Sequence, residues 1–132
     1  MIKTLLTLFC CLYISSAGAQ TDLKFCVETG KDGNCQSASS RFNISRAGGT
    51  ITFLIKNDKG LGTNKVLYKI FKLSEDGKET YNNTIEQQVK ENWNFAWEDA
   101  VFYDPGTYKI LVYDKSETGP LICMGILKLF TQ

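Results

Sequence analysis

Asp104-Pro105-Gly106-Thr107-Tyr108, running on into Lys109-Ile110-Leu111-Val112-Tyr113, is the segment that decides the fold of this chain. Proline and glycine side by side are turn chemistry, because one presets φ and the other tolerates the backbone angles that a reversal needs. From Lys109 onward the residues suit a half-buried strand, with Ile110 and Val112 two apart on one face. The segment predicts a tight turn feeding a strand, with Tyr108 at the junction.

The same period recurs on either side of it. Ile51, Phe53 and Ile55 alternate with Thr50, Thr52 and Lys56. Residues 23–29 predict an edge strand and residues 41–44 a short one before Gly48-Gly49. Residues 65–73 predict a long strand, with Val66, Tyr68 and Ile70 on one face and Leu67 and Phe71 on the other. Asp76-Gly77 marks a hairpin, and residues 79–89, rich in threonine and asparagine, read as an exposed strand on its far side. Residues 93–97 and 121–130 supply two more. No segment carries a helical period, so seven or eight short strands divided by turns predict an all-β antiparallel sandwich.

Within that frame, Asp104-x-Gly106-x-Tyr108 resembles the tyrosine corner of immunoglobulin-like sandwiches, where this pattern opens the strand after a corner. The resemblance covers residues 20–132 in strand number but only these three residues in motif. It implies one immunoglobulin-like domain in which Asp104, Gly106 and Tyr108 are structural. Ile110 stands where antibody-type domains carry their second inter-sheet cysteine, and residues 65–73 lack a tryptophan, so nothing about antigen recognition carries over. The superfold hosts adhesion, ligand binding, inhibition and purely structural roles, so it names no activity.

Residues 1–19 read as a cleaved secretory signal peptide: a positive start at Lys3, an apolar run from Leu5 to Ile14, and the small residues Ser15-Ser16-Ala17-Gly18-Ala19 before Gln20. That run is about half the ~20 residues a membrane-spanning helix needs, and no later segment approaches that length. A secreted or periplasmic location is the expectation, with residues 20–132 as one domain. The 15 basic and 14 acidic residues leave a net charge of +1 and no basic stripe, which argues against a nucleic-acid partner. Beyond residues 1–19 three cysteines remain, Cys26, Cys35 and Cys123. An odd number in an oxidising compartment allows one internal bridge. Cys26 with Cys123 is favoured, because the terminal strands of such a sandwich can be neighbours; the rival is Cys26 with Cys35.

Chemistry is constrained more sharply than binding. The chain has no histidine, which removes histidine-based triads, the usual zinc hydrolase sites and His-ligated copper sites. No phosphate-binding glycine loop follows a predicted strand, and the cysteine spacings fit no zinc pattern, so neither a cofactor nor a metal is expected. Glu98, Asp99 and Asp104 lie near the corner rather than across a cleft, and no catalytic residue is assigned. Trp93, Phe95 and Trp97 fall on one face at strand spacing, and a row of exposed rings stacks on sugars. The favoured expectation is instead that this row faces the core, because tryptophan is highly buried on average. Two sequons, at Asn43 and Asn82, matter only in a eukaryotic secretory pathway.

Together these features predict a non-enzymatic interaction module that binds a protein partner through loops or an exposed edge strand, residues 79–89 being the candidate. A glycan bound by the aromatic row is the alternative. Inhibition of an extracellular enzyme by a loop such as residues 57–64 is a third.

Overall fold

A computed structural model describes residues 21–29 and 33–132. The predicted signal peptide lies outside the described residues. Ten strands follow one another: β1 (Asp22–Cys26), β2 (Glu28–Thr29), β3 (Cys35–Gln36), β4 (Arg41–Ile44), β5 (Gly49–Lys56), β6 (Lys65–Leu73), β7 (Glu79–Gln88), β8 (Phe95–Phe102), β9 (Gly106–Asp114) and β10 (Leu121–Thr131). Eight of them form two sheets, β1-β5-β8 and β4-β10-β9-β6-β7, while β2 and β3 make a small ribbon. All pairings are antiparallel except that of β4 with β10, which is parallel and departs from the expected pattern. Residues 93–97 were expected to be a strand in themselves; the strand starts later, at Phe95, and runs on through Glu98 and Asp99.

Between the sheets lies a core of rings and branched side chains. Phe53 of the small sheet is fully buried and meets Phe25, Tyr68 and Phe102 at ring-centroid distances of 5.5, 5.7 and 6.3 Å. Val66, Tyr68 and Ile70 turn inward on β6, and Ile110 and Val112 do so on β9, as their alternation predicts. Phe102 packs on Tyr108 at 4.8 Å, so the strand before the corner and the strand after it share one contact across the core.

The corner has the expected geometry. Tyr108 is buried, and its hydroxyl donates to the carbonyl of Asp104 at 2.8 Å, while Gly106 adopts φ +145°. That left-handed backbone disfavours any residue with a Cβ, and a Cβ at Gly106 would lie 2.9 Å from the Lys72 side chain.

The disulfide joins Cys26 to Cys35, not Cys26 to Cys123. Alternation along β1 is the reason. Phe25 points into the core, so Cys26 points to the outer face of the small sheet, on the side of its cross-strand partner Thr52. Cys123 pairs with the fully buried Val112 and packs inward from the opposite sheet. Burial there, reinforced by Asp22, pushes its thiol up to about 12, so at neutral pH it is a protonated, weakly nucleophilic group. The bridge closes a loop between cysteines 9 residues apart, and loops of that size stabilise a fold by roughly 2–3 kcal/mol.

The ribbon held by this bridge explains a second departure from simple alternation. Leu54 should face solvent, yet only 2% of it is exposed. The β2-β3 ribbon folds over that outer face, and its Gly33 rests on the Phe95 ring so closely that a Cβ there would lie 2.7 Å from it. Tyr108→Phe removes the corner hydrogen bond without creating a cavity. It is expected to lower unfolding free energy by about 1 kcal/mol in urea denaturation, with an unchanged m-value.

Candidate functional site

β8 is one edge of the small sheet and β7 one edge of the large sheet. These two edges meet at the same side of the sandwich, where a groove of about 490 Å³ opens between them. Trp93, Phe95, Ala96 and Trp97 line it from one side, Gln87 and Gln88 from the other, with Asn94 between. The three predicted rings thus share one site, although Trp93 reaches it from the turn ahead of β8 and not from the strand.

Backbone hydrogen bonds place each ring. The Trp93 N–H donates to the Lys90 carbonyl at 3.1 Å, closing a β-turn, and the Trp93 carbonyl accepts from the Leu61 N–H at 2.7 Å. Loop 57–64 therefore buttresses Trp93, a role that the sequence pattern did not suggest for it. Phe95 and Trp97 follow on the outer face of β8 at a spacing of two, with rings 16° from parallel and centroids 6.0 Å apart. The inward positions of β8 carry Ala96, Ala100 and Phe102 instead. The expectation that the aromatic row faces the core is overturned: Trp93 is 40% exposed and Trp97 44%.

One amide ties the groove to the core. Tyr68 is completely buried, and its hydroxyl donates to Oε1 of Gln87 at 2.7 Å. Nε2 of the same Gln87 donates to the Trp97 carbonyl at 2.6 Å, crossing from the edge of one sheet to the edge of the other. Burial, with smaller contributions from Glu98 and Cys123, raises the Tyr68 phenol well above its ordinary range and keeps it a donor. Gln88 and Asn94 line the groove as uncharged amides. No lining side chain carries a formal charge, so the groove offers flat apolar rings beside neutral hydrogen-bonding groups.

Glu98 and Asp99 do not form a facing carboxylate pair. As consecutive strand residues they point to opposite faces. Asp99, on the outer face, accepts from the Thr52 hydroxyl at 2.7 Å. Glu98 points into the seam between the sheets, where desolvation, and then the neighbouring Asp99, raise its carboxyl above the ordinary value. Inward charge on an edge strand also discourages sheet-to-sheet aggregation. Among the described residues no cluster of His, Cys, Asp or Glu is placed to hold a metal ion.

No protein-family model matches the chain, and no curated protein does. Among solved structures, an immunoglobulin-like protein from Pseudomonas aeruginosa superposes with a TM-score of 0.52 at 10% identity, over 86% of this chain and 99% of its own. The soluble domain of PmoD from Methylocystis superposes with a TM-score of 0.48 at 10% identity, over 89% of this chain and 99% of its own. At 10% identity the likeness to the Pseudomonas protein is one of fold alone. The chain is an immunoglobulin-like β-sandwich, as its corner motif implied.

The raised carboxyl of Glu98 has a defined linkage sign. Its folded form holds the proton more tightly than the unfolded form, so its contribution to stability is present at low pH and is lost as pH rises through the unfolded and then the folded pKa. Glu98→Gln is expected to melt above the parent protein at pH 7, with the gap closing toward pH 3, in paired thermal scans.

Proposed function

We propose that this chain is an exported, non-enzymatic binding domain whose ligand seats in the groove between β7 and β8, and that the ligand is a neutral glycan. The observation that carries this reading is the solvent exposure of Trp93 and Trp97 beside Phe95, in a groove edged by the amides of Gln88 and Asn94. Exposed rings offer apolar faces for the C–H faces of a pyranose, and amides offer donors and acceptors to its hydroxyls. A groove without formal charge suits a ligand without one. The internal disulfide fits an oxidising compartment, and no helix among the described residues is long and apolar enough to cross a membrane. Secretion or export to the periplasm is in keeping with both.

Trp93→Ala is expected to weaken binding by at least tenfold, about 1.4 kcal/mol, in calorimetric titration with a neutral oligosaccharide that binds the parent protein. Because the ring packs on the surface, the same change should alter unfolding free energy by only about 0.5 kcal/mol. A large stability loss with unchanged sugar affinity would remove Trp93 from the site.

A second reading, a protein partner bound by strand addition, is favoured by the edges themselves. β7 pairs only with β6 among the described residues, and the hydrogen bond from Val89 N–H to the Asn64 carbonyl sets a register in which Thr84, Glu86 and Gln88 turn their backbone groups away from β6. Proline is tolerated where an edge N–H faces solvent. Glu86→Pro is therefore expected to leave the fold intact by circular dichroism and to abolish capture of a protein partner, if β7 is the docking edge; capture that survives would exclude that edge.

A further inference from the structure

The groove is one end of a longer track. Outward-facing positions of β8 run Phe95, Trp97, Asp99 and Val101, and Tyr103 follows directly beyond the strand. Val101 is 55% exposed and Tyr103 69%, with the Tyr103 ring resting against Gly48. At about 3.4 Å per residue the track is about 27 Å long, far more than one sugar ring covers. Its middle is polar and pre-organised: Asp99 is held by the Thr52 hydroxyl and keeps further lone pairs for incoming hydroxyl donors.

The free edge of β8 runs beside the same track. Asn57 N–H donates to the Asn94 carbonyl, which sets the β5–β8 ladder so that Phe95, Trp97, Asp99 and Val101 aim their backbone groups away from β5. β8 has no strand partner on that side among the described residues. The Trp97 carbonyl is taken by Gln87, and among the described residues no strand pairs with the other outward-turned backbone groups beside the rings.

Resting on the glycan reading above, we propose that the ligand is a linear, neutral oligosaccharide several residues long, laid along β8 with one end on Trp93 and Trp97 and the other on Tyr103. A chain of equatorially linked pyranoses presents apolar faces to Trp97, Val101 and Tyr103 and hydroxyls to Asp99 and the free strand edge. A single sugar would leave most of the track uncovered. A carboxylate-bearing chain would meet Asp99 with like charge.

The test is a titration of the protein with cello-, xylo- and chito-oligosaccharides of increasing length, with oligogalacturonate as the acidic comparison. At least one neutral series should gain tenfold or more in affinity between the dimer and the hexamer, and oligogalacturonate should bind more weakly than that hexamer. Tyr103→Ala should remove the length gain while leaving dimer affinity within twofold, and Trp97→Ala should weaken every length. Neutral sugars that bind with no length dependence, or a length gain that survives Tyr103→Ala, would overturn the linear track and leave the glycan reading standing. Tighter binding of oligogalacturonate would overturn the neutral assignment. No binding by any series would overturn both, and capture of an extended peptide by the β8 edge instead would assign that edge to a protein partner.

Discussion

A phenol buried in a core of rings must find a hydrogen-bond partner, and the hydroxyl of Tyr68 is the group around which this sandwich is arranged. Its ring fills the space opposite Phe53, where the two sheets meet. Its hydroxyl is satisfied by Gln87, an edge residue drawn inward to reach it. The other end of that amide then holds the Trp97 carbonyl, so the need to satisfy one buried polar atom sets the spacing of β7 and β8. Leaving a buried donor without a partner costs about 1–3 kcal/mol, a sizeable part of the stability of a domain this small. The groove is therefore coupled to the core.

Three devices manage the surfaces that two open sheets leave behind. The corner hydrogen bond from Tyr108 fixes the crossing between β8 and β9, which lie in different sheets. The disulfide-closed ribbon covers the outer face of β5, and the contact of Gly33 with Phe95 ends that cover at the start of β8. Glu98 turns a charge into the seam beside the exposed β8 edge. β8 is left with the rings of Trp93 and Trp97 exposed beside an edge that, among the described residues, has no strand partner. Contiguous exposed apolar surface on soluble proteins tends to mark interaction sites.

The residue pattern alone was sufficient for the all-β class, for most strand positions and for the corner. Each rests on local physics: alternation with a period of two, turn residues at fixed offsets, and a tyrosine four residues after its acceptor. It was sufficient also to single out Trp93, Phe95 and Trp97 and to remove histidine-dependent chemistry. Whether those rings faced inward or outward was decided only by packing, because the core side of β8 is filled by Ala96, Ala100 and Phe102 one residue out of step with them. The disulfide was decided in the same way. Cys26 and Cys123 belong to opposite sheets, and Cys123 packs toward the core while Cys26 points out of it on the far face of the small sheet, a relation that depends on which residue of β1 faces the core. Periodicity assigns residues to two faces; which face is buried follows from what the rest of the chain places against it, and only the tertiary structure contains that.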